Sequence, residues 1–253
     1  MKSFFYSLIV ISIAGAAQAA TSYNFQAELT NDYFTSEVTD WTQSNLNPIG
    51  GGGERPLAYI ASNAGNNFGV LGTAIGNHPT QATTTVTGAL TPTNSLTNAI
   101  VSVDLSLFAN TGYSVYDSFA VSIGGTSDSA ATIAFTPGAA GIWTLSYDFG
   151  GVTGTSASTV TAGFLYNFQF IFADGSTQVF YDGALVASAS TSYNAAELID
   201  SIAISHTQTG ASNTWGASSN GITFDNISVV PEPSVALLGA IGSLALLRRR
   251  RQG

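Results

Sequence analysis

The sequence contains no cysteine, only six Lys and Arg residues and only two histidines, and each shortage closes off a chemistry. Without thiols there is no disulfide and no thiolate nucleophile, so stability rests on packing and on any bound ions. His78 and His206 are far apart and neither stands in a metal-ligand spacing, which leaves zinc without a candidate site. No Gly-x-Ser-x-Gly elbow occurs among the many serines, so nothing marks a Ser-His-Asp hydrolase. Positive charge is also unevenly spread. Lys2 and Arg55 are the only cations in the first 247 residues, and the other four stand together as Arg248, Arg249, Arg250 and Arg251.

What is present at the two ends concerns location. Residues 1–20, MKSFFYSLIVISIAGAAQAA, carry one Lys, an apolar run from Phe4 to Ala14, and small residues at Ala17 and Ala19. This three-part pattern reads as a secretory signal peptide, residues 1–19, cut by signal peptidase after Ala19. At the other end, Ser234 to Leu247 form an apolar, small-residue stretch of fourteen. As a helix it would reach only about 21 Å, against a hydrocarbon core of roughly 30 Å. It would be a short membrane span, with Arg248 to Arg251 held on the cytoplasmic side and the body facing outward. Pro231-Glu232-Pro233 is a stiff tripeptide with two missing backbone donors, which ends the preceding strand and sets the helix off from the body.

Between these ends, residues 20–230 hold fourteen acidic side chains and one basic one, Arg55, a formal charge of −13. Such a body offers nucleic acid no surface from which to displace counterions, and it disfavours anionic lipid. Its length suits one all-β domain with a substantial core. Val101, Val103, Leu105 and Leu107 alternate with Ser102, Asp104 and Ser106, as in a half-buried strand. Phe119, Val121 and Ile123 repeat the pattern. Phe164, Tyr166, Phe168, Phe170 and Phe172 line one side of the next clear strand, which turns at Asp174-Gly175 and again at Asp182-Gly183 into a three-stranded meander. In GITFDNISVV, Ile222 and Phe224 fall on one parity and Ile227 and Val229 on the other, so a bulge is expected near Asp225-Asn226. About a dozen short strands with Gly, Ser, Thr and Asn between them predict a sandwich or jelly roll. Asn45 to Pro56, with four consecutive glycines, reads as a loop; the Ser/Thr-rich TGTSASTVTAG suits a loop or an exposed strand edge and is taken as a loop; and only Asn194 to Asp200 reads as a short helix.

Two resemblances follow from these residues. The hairpin FADGSTQVFYDGALVAS, with Tyr181-Asp182-Gly183-Ala184-Leu185-Val186 at its second turn, resembles that of concanavalin A-like and laminin-G-like jelly rolls, over some 26 residues. The order of VPEPS, short apolar helix and Arg cluster in residues 231–253 resembles the PEP-CTERM sorting signal of Gram-negative bacteria. That resemblance implies an exported protein handled by an exosortase, a membrane enzyme expected to cut near Pro231-Glu232-Pro233. It also implies an association with extracellular polysaccharide and biofilm. The protein is then expected at the inner membrane briefly, and at the cell surface or outside thereafter.

Chemistry is harder to find in the body. Glucanases of the concanavalin A-like fold carry a Glu-x-Asp-x-x-Glu strand motif, which is absent here, and Glu28, Glu37, Glu54 and Glu197 each lack such neighbours. No catalytic residue is therefore assigned, and the expected role is a non-catalytic contact with extracellular glycan. The alternatives are a glycan-cleaving enzyme or a purely structural matrix protein. A cleft holding two carboxylates about 5 to 9 Å apart would favour the enzyme. Glycan binding asks for an exposed aromatic platform, for which Trp215, in a loop rich in Asn and Ser, comes first and Trp41 second. Trp143 is expected in the core. No cofactor is required, but oxygen ligands suited to calcium are plentiful, and Asp104, Asp225 and Asn226 come from strands that can be neighbours.

Overall fold

The alternation of apolar and hydroxyl-bearing residues becomes, in a computed structural model, fifteen strands in two sheets among the described residues. The structure describes residues 21–25, 40–44, 58–72, 83–90, 95–108, 117–126, 130–138, 141–194, 196–207 and 221–231. In chain order the strands are β1 (Thr21–Tyr23), β2 (Trp41–Gln43), β3 (Ala58–Asn63), β4 (Asn66–Gly72), β5 (Thr83–Ala89), β6 (Ala99–Phe108), β7 (Ser118–Gly125) and β8 (Ala130–Pro137). They continue as β9 (Ile142–Phe149), β10 (Val152–Thr161), β11 (Leu165–Ala173), β12 (Ser176–Tyr181), β13 (Ala184–Ser190), β14 (Ile199–Thr207) and β15 (Gly221–Pro231). Among the described residues there is no helix, and thus none long and apolar enough to cross a membrane.

The first sheet runs β13-β12-β11-β6-β15-β4-β3, with β1 also pairing β15, and the second runs β10-β9-β8-β7-β14-β5-β2. Every pairing is antiparallel. In β6 the buried residues alternate strictly with half-buried ones, so Val101, Val103, Leu105 and Leu107 face the other sheet while Ser102, Asp104 and Ser106 face outward. The inner faces of both sheets close one core, in which Phe168, Phe170 and Phe172 of β11 meet Phe135 and Trp143 among others. Trp143 is fully buried, as expected, and its indole N–H donates to the Asp117 carbonyl at 2.9 Å.

The meander of β11, β12 and β13 is present with both Asp-Gly turns. At the second, Asp182 and Gly183 have φ of 46° and 78°, the left-handed pair that a tight hairpin needs. The bulge in β15 is also present, its register breaking between Asp225 and Ser228 with Asn226 at φ 50°.

Two local expectations are corrected. The Ser/Thr-rich segment is the edge strand β10, which pairs β9 with a register break between Thr155 and Thr159. It lacks an apolar stripe because, at the sheet edge, it is largely open to solvent. Among the described residues of 194–200, none is helical. The Asn194 side chain accepts from the Ala196 N–H at 3.0 Å, and Glu197 N–H donates to the Asn194 carbonyl at 2.9 Å, a turn that leads through a bridge at Leu198 into β14. The expected loop Asn45 to Pro56 lies outside the described residues.

Candidate functional site

Antiparallel pairing of β6 with β15 sets Asp104 directly opposite Asp225 on the outer face of the first sheet. Cross-strand partners hold their Cβ atoms about 4.5–5.5 Å apart, so two carboxyl groups share one small region of that face. The same register sets Asn167 of β11 opposite Asp104 and Gln169 opposite Ser102. A row of acidic and amide side chains therefore crosses β15, β6 and β11.

The bulge assembles this row. In a regular strand residue 226 would point into the core, but the extra residue lets Asp225 and Asn226 serve the outer side while Phe224, Ile227 and Val229 stay buried. On its other side β15 changes partner at the same place. It pairs β4 up to Phe224 and β1 from Ile227, so Asp225 and Asn226 fall in a notch between two neighbours.

The two carboxylates are held differently. Asp104 accepts an amide N–H on each oxygen, from Asn167 at 2.7 Å and from Asn226 at 2.8 Å. Asp225 is only 6% exposed; its Oδ2 receives one long contact from Asn66 at 3.4 Å, and its Oδ1 is buried with no partner. A bare buried polar atom costs about 1–3 kcal/mol or more, a cost this site tolerates at one oxygen. Asp182, in the turn beyond β12, accepts the Asn167 backbone N–H at 2.9 Å and so fixes the strand that carries one of the two amides.

Asp104, Asp225 and Asn226, named above as oxygen ligands suited to calcium, are the residues that this bulge brings together. Both Asp104 oxygens face N–H donors, which oppose a cation, and among the described residues no group of three or more His, Asp or Glu is placed to hold a metal.

Other candidates are placed as follows. Trp41 is corrected from exposed platform to core: it is 4% exposed and stacks on Phe224 at 5.6 Å, with Phe25 and Tyr23 closing the cluster. Gly88, its cross-strand partner, makes the room, since a Cβ there would stand 2.5 Å from the indole. His206 is buried against Asp117 at 2.8 Å and stacks on Phe119, so this pair braces the interior of the second sheet and reaches no substrate. Glu197 is buried, with Oε1 unpartnered, beside Gly125 and Leu96. Pro231 ends β15, as expected. Ala17, Ala19, Trp215, Glu232, Pro233 and Arg248 to Arg251 lie outside the described residues, as do His78, Glu28, Glu37 and Glu54.

No protein-family model matches the chain, and no curated protein does either. Solved structures share its fold. A sialidase is similar over 86% of this chain with 15% identity and a TM-score of 0.57, although the chain spans only 19% of that protein. An alginate lyase matches over 87% of this chain and 100% of its own, with 14% identity and a TM-score of 0.55. A Bacteroides ovatus mixed-linkage glucan GH16 protein, solved in complex with a product, matches over 83% of this chain and 99% of its own, with 8% identity and a TM-score of 0.55. At these identities the likeness establishes a two-sheet jelly-roll sandwich.

The expected non-catalytic role is corrected here. The sandwich is shared with solved glycan-active proteins, and two acidic side chains, Asp104 and Asp225, stand opposite each other on its first sheet.

Proposed function

We propose that this protein is a glycan-processing enzyme that hydrolyses a glycosidic bond at the outer face of its first sheet, with Asp104 and Asp225 as the working pair. The observation that carries the reading is their opposition in register combined with unlike hydrogen bonding. Glycoside hydrolysis asks for two carboxyl groups in two roles, one charged and one delivering a proton, and a separation near 5 Å suits retention of configuration.

Asp104, held on both oxygens by amides, is the charged partner. Asp225, whose contact to Asn66 is long, is the proton carrier, its Asn66 contact giving way to the glycosidic oxygen. In the first step the Asp225 proton passes to that oxygen, the bond from the anomeric carbon to the leaving oxygen breaks, and an Asp104 oxygen bonds to the anomeric carbon. In the second, water gives its proton back to Asp225 and its oxygen to the anomeric carbon, releasing Asp104. Asn167 and Asn226 keep Asp104 aimed throughout.

The place of action in this proposal is outside the cytoplasm. Ala17 and Ala19 support export through signal peptidase, and Pro231-Glu232-Pro233 with Arg248 to Arg251 support a tail recognised by an exosortase, with extracellular polysaccharide as the neighbouring glycan. Mass spectrometry of the protein recovered from its host checks this part: a mature chain without the residues after Pro233 is expected, and one that retains Gly253 contradicts it.

Catalysis is checked by incubating the purified protein with soluble glycans and measuring new reducing ends. Their release by the parent and loss in Asp104→Asn is the expected result. No release from any glycan counts against the reading.

A further inference from the structure

Charge separates the glycans that this face can take from those it repels. Among the described residues there is no Lys or Arg, and the one His, His206, is buried against Asp117 in the other sheet. In residues 20–230 as a whole the sole cation is Arg55, against fourteen acidic side chains. Among the described residues the titratable groups around the candidate site are all acidic: Asp104, Asp225 and, at the neighbouring turn, Asp182. The side chains beside them are uncharged. Asn66, Asn167, Asn226 and Gln169 supply amides, and Leu165, 65% exposed, and Leu185, 53% exposed, supply apolar surface further along the same sheet.

A carboxylated or sulfated sugar bound here would meet like charge, with no guanidinium or ammonium among the described residues to offset it. An uncharged sugar meets the opposite conditions: its hydroxyl hydrogens suit the carboxylate and amide acceptors of this face, and its C–H faces suit the exposed leucines.

We infer that the Asp104–Asp225 face takes a glycan without anionic groups and excludes polyuronates and sialylated chains. This rests on the hydrolase reading for what happens after binding, and on charge alone for what binds.

The test measures binding and turnover separately. Full-length protein is run in affinity gels containing mixed-linkage β-glucan, alginate or a sialylated mucin glycan, and the same glycans are assayed for new reducing ends. Retention by the β-glucan at least ~10-fold stronger than by alginate at low salt is expected, with the gap narrowing as salt screens the repulsion. Asp182→Asn, which removes one charge and suits the left-handed turn, should raise the affinity for alginate relative to that for β-glucan ~2- to 3-fold. Binding of β-glucan without cleavage would sink the hydrolase reading and leave this inference standing. Stronger retention by alginate or by the sialylated glycan overturns the inference whatever the catalysis, and so does retention by none of the three.

Discussion

Asp104 and Asp225 face each other across two antiparallel strands, one carboxylate held by two amides and the other left with a buried, unpartnered oxygen. A sheet that only needed to be stable would not place like charges directly opposite, because such pairs are destabilising. The arrangement persists because a bulge, two asparagines and a change of strand partner at the same point support it.

Asn226 is the residue on which that support turns. Its φ of 50° is one that glycine adopts without strain, yet the chain places an amide there and aims it at Asp104. Asn226→Gly should therefore leave stability within about 1 kcal/mol of the parent while turnover falls by roughly 10- to 100-fold through loss of aim. Chemical denaturation and reducing-end assays on the same preparation check this, and unchanged turnover would show Asn226 to be only a turn residue.

Trp41 behaves as core. It packs against Phe224, Phe25 and Tyr23, so Trp41→Ala should cost about 3–5 kcal/mol of unfolding free energy. Gly88→Ala should also destabilise, because its Cβ would enter the indole. Urea unfolding measures both, and a Trp41→Ala variant as stable as the parent would place the indole outside the core.

Much of this molecule is legible in its sequence, for a physical reason. Strands such as β6 and β11 bury one face only, so period two appears as alternating Val or Phe and polar residues. The bulge is legible because Phe224 and Ile227 must both reach the core from opposite parities. The edge strand β10 is not, since its solvent exposure removes the stripe that alternation needs. Trp41 misleads because Asp40, Thr42, Gln43 and Ser44 surround it with polarity, while the space it fills comes from Gly88, 47 positions away in the sequence. Asp104, Asp225 and Asn226 are recognisable as potential neighbours. Asn66, Asn167 and Asp182 join them only through register, a long-range property that no local pattern encodes.

Tyr193 gives the fold an alkaline limit. Burial, helped by the negative charges of Asp148 and Glu197 and opposed by a hydrogen bond with Thr177, raises its pKa from 10.0 to about 12. The folded state favours the neutral phenol, so this contribution to stability is complete below pH 10 and is lost as pH rises through about 12. Tyr193→Phe should flatten the fall in stability over that interval. Denaturation midpoints measured between those pH values check it, and an identical slope in the variant would move the alkaline limit elsewhere.

The most direct measurement is the turnover of soluble glycan by the parent, by Asp104→Asn and by Asp225→Asn, each shown by circular dichroism to keep the β-sandwich. The account predicts release of reducing ends by the parent and at least a ~100-fold loss in either variant. A parent that releases none, or variants that match it, would contradict the assignment of catalysis to this pair.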